Sequence, residues 1–285
     1  KQNEMRLNWS QYKNAPEVEE VALDGLPENV RAVYLPIDVD GVTTKTFAYV
    51  GVPNTKTPAP AMVLVHGGGK LATRLAEKLE IPTTMIDGRR VTDSQTLDVV
   101  TMVYAGLVNK KVVAMLQAAG CNAIGLSGAD ANVVKATRRA AKPIDFGFVG
   151  DISVEGVDAD FILSLTARGV VPVFCSIMHD GAGTLLNCNA DSVASAVAVA
   201  LAQKAETELV FCFEKAGVMA DIDNPDSVIA EIRPQSYKTL LADGVVNKGM
   251  IPKIDNAFAA IEHGVQSVRI THVSNLHGGT VIEQA

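Results

Sequence analysis

Few residues in this sequence are of the kinds that form disulfides or bind metal ions. The chain has four cysteines and five histidines among 285 residues. Neither a CxxC pair nor an HExxH motif is present. Cysteines at such irregular spacing are typical of free thiols in a reducing compartment. We therefore predict buried thiols, no metal site and a cytoplasmic location.

The sequence also lacks an excess of basic residues and a long apolar run. It has 25 lysines and arginines against 32 aspartates and glutamates, which gives a net charge of −7. This balance argues against nucleic acid as a partner. No apolar stretch approaches the ~20 residues of a membrane span, which argues against a membrane partner. Any anionic ligand must then be held by individual lysines, arginines and loop amides.

A strand, a glycine-rich loop and a helix follow one another at residues 61–80. Ala61–Val65 is apolar, Gly67–Gly69 is a run of three glycines, and Lys70–Glu80 has apolar residues at helical spacing. Glycines let backbone N–H groups approach an oxyanion, and the helix dipole favours negative charge there. The pattern predicts an anion-binding loop, and the alternative is an ordinary tight strand-to-helix turn.

Before this loop the sequence is β-rich, and after it strands and helices alternate. Residues 31–39 and 44–52 indicate two strands joined at Asp40-Gly41, a hairpin signal. The later alternation predicts a mainly parallel sheet covered by helices on both faces. We therefore expect an α/β fold, a three-layer αβα sandwich over residues 61–285, preceded by a β-rich segment of residues 1–60.

Several elements of the alternating part can be placed from their periodicity. Thr92 with Gln95 fits a capping box for a long helix, Asp93–Ala119, interrupted near Gly106. The other predicted elements are strands at residues 122–126, 170–176 and 209–213, and helices at residues 159–168, 191–204 and about 250–263.

Two polar clusters suit an acidic substrate. Arg89 and Arg90 precede the long helix, and one of them could clamp a carboxylate, although surface arginines are commonly just solvated. Asn187, Asn189 and Asp191 alternate at a loop-to-helix junction. Their side chains would converge on an extended segment, whereas a plain helix cap would need only one of them.

Two further clusters suit a phosphate group. Gly249 lies between Lys248 and Lys253 at the start of a helix. A lysine there is unfavourable with respect to the helix dipole, so its presence indicates a function such as phosphate contact. Residues 214–217 follow the apolar strand at 209–213. Open α/β sheets place their ligand loops at such carboxyl ends.

Six motifs, in order, resemble those of the amino-acid kinase family and within it the N-acyl-glutamate kinases. They are VHGGG (65–69), GRRVTD (88–93), AGLVNK (105–110), NCNAD (187–191), EKAGV (214–218) and GMIPK (249–253). The resemblance covers residues 63–285. It implies an amino-acid kinase-like fold, ATP as co-substrate with Mg2+ carried by the ATP, and a homodimer. The implied reaction is phosphorylation of the γ-carboxylate of N-acetyl- or N-succinyl-L-glutamate in arginine biosynthesis.

The same resemblance implies roles for individual residues. Lys253 matches a catalytic lysine, and Asp191 matches the aspartate that organises the catalytic lysines. The positions that match substrate-binding residues are Gly67, Gly68, Arg90, Asn187 and Asn189. The positions that match nucleotide-binding residues are Glu214, Lys215, Gly217, Asn247 and Gly249.

The first 66 residues depart from the family pattern. The family begins with a strand ending in a Lys-x-Gly-Gly loop, whose lysine stabilises the phosphoryl group in flight. No Gly-Gly occurs before Gly67. We therefore expect impaired turnover, and the alternative is a catalytically inactive small-molecule binding protein derived from such a kinase.

Residues 1–69 resemble instead the N-terminus of an acetyl-xylan-esterase-like α/β-hydrolase, in which HGGG forms the oxyanion loop. An esterase is the less favoured alternative because the chain has no G-x-S-x-G nucleophile elbow.

Overall fold

The computed structural model describes most of the chain from residue 61 onward and three strands before it. The described residues are 19–21, 30–39, 42–51 and 61–284, without residues 87, 214, 222, 225, 247–249, 273, 274 and 276.

Strands and helices alternate along the described chain. The strands are β1 Glu19–Val21, β2 Val30–Val39, β3 Val42–Gly51, β4 Leu64–His66, β5 Met85–Ile86, β6 Arg89–Arg90, β7 Ala123–Leu126, β8 Thr137–Arg138, β9 Gly150–Asp151, β10 Val171–Cys175, β11 Ile177–His179, β12 Leu185–Asn187, β13 Glu208–Phe213, β14 Glu231–Ile232, β15 Ser267–His272 and β16 Thr280–Ile282. The α-helices are α1 Gly69–Lys78, α2 Ser94–Thr101, α3 Asn109–Ala118, α4 Ala159–Thr166, α5 Ala190–Ala202, α6 Pro234–Ala242 and α7 Ile251–Glu262.

Three strands form a parallel sheet in the order β4-β10-β7. Successive side chains of a strand point to opposite faces. Val173 and Cys175 of β10 accordingly share a core with α1, α2 and α3, whereas Phe174 shares a core with α4 and α5. All three side chains are buried. This part of the chain is therefore a helix–sheet–helix sandwich, as predicted.

A second sheet has the order β13-β15-β16-β14. Strands β13 and β15 run parallel, and β16 runs antiparallel to β15. Phe211 and Ile270 of this sheet share a core with Ile254 of α7. Helix α5 contributes to both cores, because Val197 packs with the first sheet and Val199 packs with the second. Packing against both sheets thus fixes the position of α5.

Helices α2 and α3 belong to one continuous helix, Ser94–Ala118, with a π-helical segment at Met102–Val108 between them. The interruption predicted near Gly106 is a change of hydrogen-bond spacing rather than a break. The helix is long and apolar enough to cross a membrane, but buried core helices meet the same criterion. Val103 and Leu116 are among its residues in the core of the first sheet.

The N-cap of this long helix is Asp93, whose carboxylate accepts a hydrogen bond of 2.8 Å from the Thr96 N–H. The capping box predicted at Thr92 and Gln95 is therefore wrong by one residue. The Thr92 hydroxyl instead donates to the Arg90 carbonyl at 3.1 Å, which ties it to the strand that carries the predicted substrate arginine.

Strands β2 and β3 pair antiparallel from Val30 opposite Gly51 to Val39 opposite Val42, and β1 pairs with β2. The predicted hairpin is confirmed, while its turn at Asp40-Gly41 lies outside the described residues. These three strands form a sheet of their own and do not extend the β4-β10-β7 sheet.

Candidate functional site

The glycine loop joins β4 to α1, as the sequence predicts. Helix α1 begins at Gly69 with Gly68 as its N-cap, and no side chain caps it. Within the described part of the chain, the structure gives the Gly68 N–H no acceptor. Uncapped N–H groups at a helix N-terminus are ready donors for an anion. The loop therefore has the geometry of an anion site.

Two neighbours determine how the loop is packed. A Cβ atom added to Gly68 would lie 2.7 Å from Cδ1 of Tyr104, which is too close for any side chain. A Cβ atom added to Gly67 would lie 3.7 Å from Cβ of Ala190, an ordinary contact. Because Ala190 is the first residue of α5, the glycine loop lies beside the N-terminus of that helix.

Arg90 is bound to the last glycine of the loop. Its guanidinium donates to the Gly69 carbonyl at 3.1 Å, to the Thr73 hydroxyl at 2.8 Å and to the Thr83 hydroxyl at 3.3 Å. The residue is only 8% exposed. No carboxylate pairs with it among the ion pairs of the described residues. A buried guanidinium with neutral acceptors alone can be neutralised by a substrate carboxylate.

Tyr104 lies close to both the glycine loop and Arg90. Burial raises the pKa of the Tyr104 phenol, and the nearby Arg90 charge opposes part of that rise. The phenol is therefore neutral, and its hydroxyl is close enough to Arg90 to take part in the same polar cluster.

Asn187 ends β12 and is buried. Its Nδ2 donates to the Thr92 hydroxyl at 3.0 Å, and Thr92 donates to the Arg90 carbonyl. Two hydrogen bonds thus connect Asn187 to the strand of Arg90, so the structure brings these two predicted substrate residues to one region.

Asn189 and Asp191 have different local roles. Asn189 is the N-cap of α5, and its Oδ1 accepts from the Ser192 N–H at 3.0 Å. Asp191 lies in the first turn and accepts from Lys253 Nζ at 2.7 Å. Asp191 does not converge with Asn187 and Asn189 as the alternate spacing predicted, because the extended segment ends at Asn189 and Asp191 is helical.

Lys253 lies in the first turn of α7, where the helix dipole opposes a positive charge. Its pairing with Asp191 supplies the reason for that placement. The ammonium also lies 4.1 Å from the centre of the Phe213 ring, a favourable cation–π distance. The side chains of Lys253 and Asp191 remain 25% and 40% exposed, so a ligand can reach both.

The described residues include only part of the predicted nucleotide site. Lys215 and Gly217 follow β13, whereas Glu214, Asn247 and Gly249 lie outside the described residues. A Cβ atom on Gly217 would lie 2.8 Å from the Thr280 hydroxyl, so close packing requires this glycine. Lys215 is exposed. Their contact with a nucleotide stays a prediction.

Two polar residues beside the loop, the half-buried His66 and the buried Asn109, are not among the predicted site residues. His66 ends β4, with Nδ1 2.7 Å from the Gly67 carbonyl and Nε2 3.1 Å from Asn109 Nδ2. Asn109 is 1% exposed and lies on the buried stripe of α3 with Val112 and Leu116. An amide within an apolar stripe of a helix is the sequence signal that could have identified it.

The cysteines offer no nucleophile near this loop. Cys121, Cys175 and Cys188 are buried free thiols, as predicted, but Cys212 is exposed, so the prediction of burial is wrong there. Burial raises the pKa of Cys175 to about 11 and that of Cys188 to about 12. Both thiols therefore stay protonated. No cluster of metal-ligating side chains is found within the described ranges.

The fold and the site define a class of protein. An α/β sandwich that places an uncapped glycine loop, a buried arginine and a lysine–aspartate pair next to one another is suited to handling anionic groups. Transfer of a phosphoryl group between two anions is chemistry of this kind.

Comparison with known proteins gives the family. The model of the amino acid kinase family matches residues 57–272. An acetylglutamate kinase of Phocaeicola vulgatus is 52% identical over 224 residues, 78% of this chain and 86% of that protein. Another, of Bacteroides thetaiotaomicron, is 53% identical over 212 residues, 74% of this chain and 82% of that protein. The chain belongs to the amino acid kinase family and is thus a phosphotransferase.

A solved structure agrees with this fold. A protein of Streptococcus mutans UA159 superposes with a TM-score of 0.66 at 31% identity, over 78% of this chain and 85% of the other. The predicted α/β fold with a parallel central sheet is confirmed. The resemblance of residues 1–69 to a hydrolase is not supported, because the family match includes the whole glycine loop.

Proposed function

We propose that this chain transfers the γ-phosphoryl group of ATP to the γ-carboxylate of N-acetyl-L-glutamate, a step of arginine biosynthesis, in the cytoplasm and as a homodimer. The observation that carries the proposal is the Lys253–Asp191 pair beside the glycine loop and the buried Arg90. The relatives that are about half identical to the chain and named acetylglutamate kinase support the same acceptor. N-Succinyl-L-glutamate is the competing acceptor.

The reaction brings two anions together. One oxygen of the γ-carboxylate attacks the γ-phosphorus of ATP. The new O–P bond forms while the bond from phosphorus to the β,γ-bridging oxygen breaks, and ADP leaves without any proton transfer. Negative charge spreads over the transferred oxygens, so catalysis depends on positioning and on electrostatic stabilisation.

The described residues can divide these tasks. Arg90 would hold a carboxylate of the acceptor, and Asn187 and Asn189 would line the same pocket. The N–H groups at Gly67 and Gly68 would face the transferred phosphoryl group. Lys253, oriented by Asp191, would offset the charge that develops on it.

The nucleotide would occupy the second half of the domain of residues 61–285. Lys215 and Gly217 lie at the carboxyl end of β13, a position that favours ligand contact in open sheets. Glu214, Asn247 and Gly249 would complete this site, and Mg2+ would enter with ATP as part of the substrate.

Turnover should be lower than the family's, because no Lys-x-Gly-Gly loop occurs within residues 1–66. The one described lysine in that region, Lys45, belongs to the β2–β3 hairpin. This observation also favours a second candidate function, a small-molecule binding protein that retains the pocket without turnover.

The test is an assay with ATP, Mg2+ and either N-acetyl- or N-succinyl-L-glutamate, in which hydroxylamine traps the acyl phosphate as a hydroxamate. We expect slow hydroxamate formation with the acetyl compound. Titration calorimetry with each ligand separates the alternatives. Binding of both ligands without hydroxamate would favour the binding protein, and binding of neither would contradict the kinase proposal.

A further inference from the structure

A chain of hydrogen bonds lies behind the glycine loop, and its first half fixes the orientation of one amide. Lys110 Nζ donates to Asn109 Oδ1 at 3.1 Å and to the Gly125 carbonyl at 3.1 Å. Asn109 Nδ2 donates to the Val173 carbonyl at 2.8 Å. An ammonium can only donate and a carbonyl can only accept. The Asn109 amide therefore has only one consistent orientation, with Nδ2 towards β10.

This orientation determines the tautomer of His66. Asn109 Nδ2 lies 3.1 Å from His66 Nε2, so Nε2 must accept that hydrogen bond. The proton of the neutral ring is then on Nδ1, which lies 2.7 Å from the Gly67 carbonyl. That carbonyl can only accept, so the contacts at both ring nitrogens require the same tautomer.

Burial supports the neutral ring. Desolvation lowers the pKa of His66, and the hydrogen bond to Gly67 opposes only part of that effect. A second proton would also place an Nε2–H against the amide hydrogens of Asn109. The ring is thus neutral near pH 7.

The hydrogen bond from His66 to the Gly67 carbonyl also fixes the direction of the Gly68 N–H. The Gly67 carbonyl and the Gly68 N–H belong to one planar trans peptide, so they point in opposite directions. Because the His66 ring, which also contacts Asn109, holds this carbonyl, the Gly68 N–H points away from the ring. That N–H is the donor for which the described chain provides no acceptor.

We propose that His66, held by Asn109, is a positioning residue that orients the Gly67–Gly68 peptide so that the Gly68 N–H points at the phosphoryl group in flight. The inference rests on the proposed function and adds a residue to it. His66 acts through the loop and does not itself touch the substrate.

An independent observation supports the role of Asn109. A methyl group on Gly125 would overlap the Asn109 amide and would lie 2.8 Å from Lys110 Nζ. The strand β7 therefore leaves room for the Asn109 amide only because residue 125 is glycine. The arrangement depends on three separate elements, which are α3, β7 and β10.

The kinetic test compares two conservative variants. The amide nitrogen of His66→Asn can take the place of Nδ1 and donate to Gly67, whereas the longer amide of His66→Gln reaches Asn109 and leaves the Gly67 carbonyl without a donor. Because the Gly68 N–H acts on developing charge, we expect His66→Gln to lower kcat about 10–100-fold with both KM values changed less than about threefold. We expect His66→Asn to retain kcat within about fivefold.

Thermal melting of both variants shows whether a loss of kcat follows from a loss of stability. A purely structural role would lower kcat of the two variants equally, or in proportion to the loss of melting temperature. Equal kcat values, or a loss confined to KM, would overturn the inference while leaving the proposed function intact.

A measurement without turnover keeps the inference testable if no acyl-glutamate is phosphorylated. In protein labelled with 15N, the His66 ring should show the neutral Nδ1–H tautomer at pH 7.5, identified by its loss in His66→Asn. The Gly68 amide signal should shift on addition of a non-hydrolysable ATP analogue with Mg2+ in the wild type and in His66→Asn, but not in His66→Gln. An Nε2–H tautomer, or an equal shift in all three proteins, would overturn it.

Discussion

At the scale of single residues, the two predicted cations of the site differ in how their charge is balanced. Arg90 is buried and bonded to neutral oxygens of Gly69, Thr73 and Thr83, so its positive charge is available to a ligand. The charge of Lys253 is already shared with Asp191. This difference suits Arg90 to binding a carboxylate in the ground state. It suits Lys253 to a group whose negative charge grows during the reaction.

Replacing Arg90 tests its predicted role in binding the carboxylate of the substrate. Arg90→Ala removes a charge-assisted contact worth about 1.5–3 kcal/mol, so acyl-glutamate binding should weaken roughly 10- to 100-fold. ATP binding, measured by the same calorimetry, should change little. The control is Arg139→Ala, since Arg139 forms an ion pair with the exposed Asp151. Equal weakening of both ligands, or of neither, would contradict the assignment.

Replacing Lys253 tests its predicted role in stabilising the negative charge that grows during the reaction. Lys253→Ala removes a donor aimed at transition-state charge, which should lower kcat about 10²–10³-fold, with a smaller effect on KM. Lys204→Ala is a matched control, because Lys204 forms a pair of the same length, 2.7 Å, with Asp160 but at the opposite end of α5. An equal loss of rate in the two variants would show that the Asp191 pair has only a structural role.

At the scale of elements, the glycine loop depends on the π-helical segment of the long helix. Tyr104 belongs to this segment, and its ring lies against Gly68. Insertions of π-helix are frequent at functional sites. Here the segment brings an aromatic ring under the loop, and that ring excludes any side chain larger than hydrogen.

This contact predicts a strong coupling between Gly68 and Tyr104. Gly68→Ala should destabilise the protein by about 1–3 kcal/mol through overpacking, whereas Gly67→Ala should be nearly neutral because its nearest contact would be at 3.7 Å. Adding Tyr104→Ala to Gly68→Ala should recover part of the lost stability. Denaturant unfolding of the wild type, Gly68→Ala, Tyr104→Ala and the double variant measures this coupling as a double-mutant cycle. Additive effects would show that the ring does not exclude a Cβ atom at Gly68.

Most elements could be predicted because their patterns are local. The apolar run at residues 170–176 became β10, and the helical pattern at residues 191–204 became α5. The cap at Thr92 was misplaced because Asp93 offers an equally good capping side chain one residue later. A carboxylate accepting from the Thr96 N–H decided between the two.

The site was less predictable, because its contacts join distant positions. His66 and Asn109 meet across 43 positions, and no local period indicates such a pair. The bond from Asn187 to Thr92 spans 95 positions. The resemblance to a family predicted Arg90 and Lys253 as site residues without indicating what holds them. The structure supplies the partners, which are oxygens of the α1 region for Arg90 and the Asp191 carboxylate for Lys253.

At the scale of the whole molecule, α5 connects the two parts of the proposed site. Its N-terminus adjoins the glycine loop at Gly67, and its first turn carries Asp191, the partner of Lys253 from α7. Its remaining residues pack into the cores of both sheets. Both substrates would therefore meet at the N-terminus of α5, whose position depends on packing against both sheets.

If the proposed function is correct, we expect the N-terminal region to lower the turnover of this chain. The family pattern supplies one lysine from its first loop and one from the position of Lys253, but residues 1–66 contain no Lys-x-Gly-Gly sequence. In its place the described strands β1, β2 and β3 form a sheet of their own. Loss of one preorganised donor typically costs about 10²–10³ in rate.

Replacing residues 1–61 with an N-terminus of the family that carries the Lys-x-Gly-Gly loop should therefore raise kcat by two orders of magnitude or more. The control is the same replacement with that lysine changed to alanine, which restores the first strand but not the charge. If the lysine is responsible, only the first replacement will reach the higher rate in the hydroxamate assay, while both will bind ATP and acyl-glutamate. Full activity of the unaltered chain would show that another residue supplies the charge, and equal rates of the two replacements would assign the gain to the strand instead.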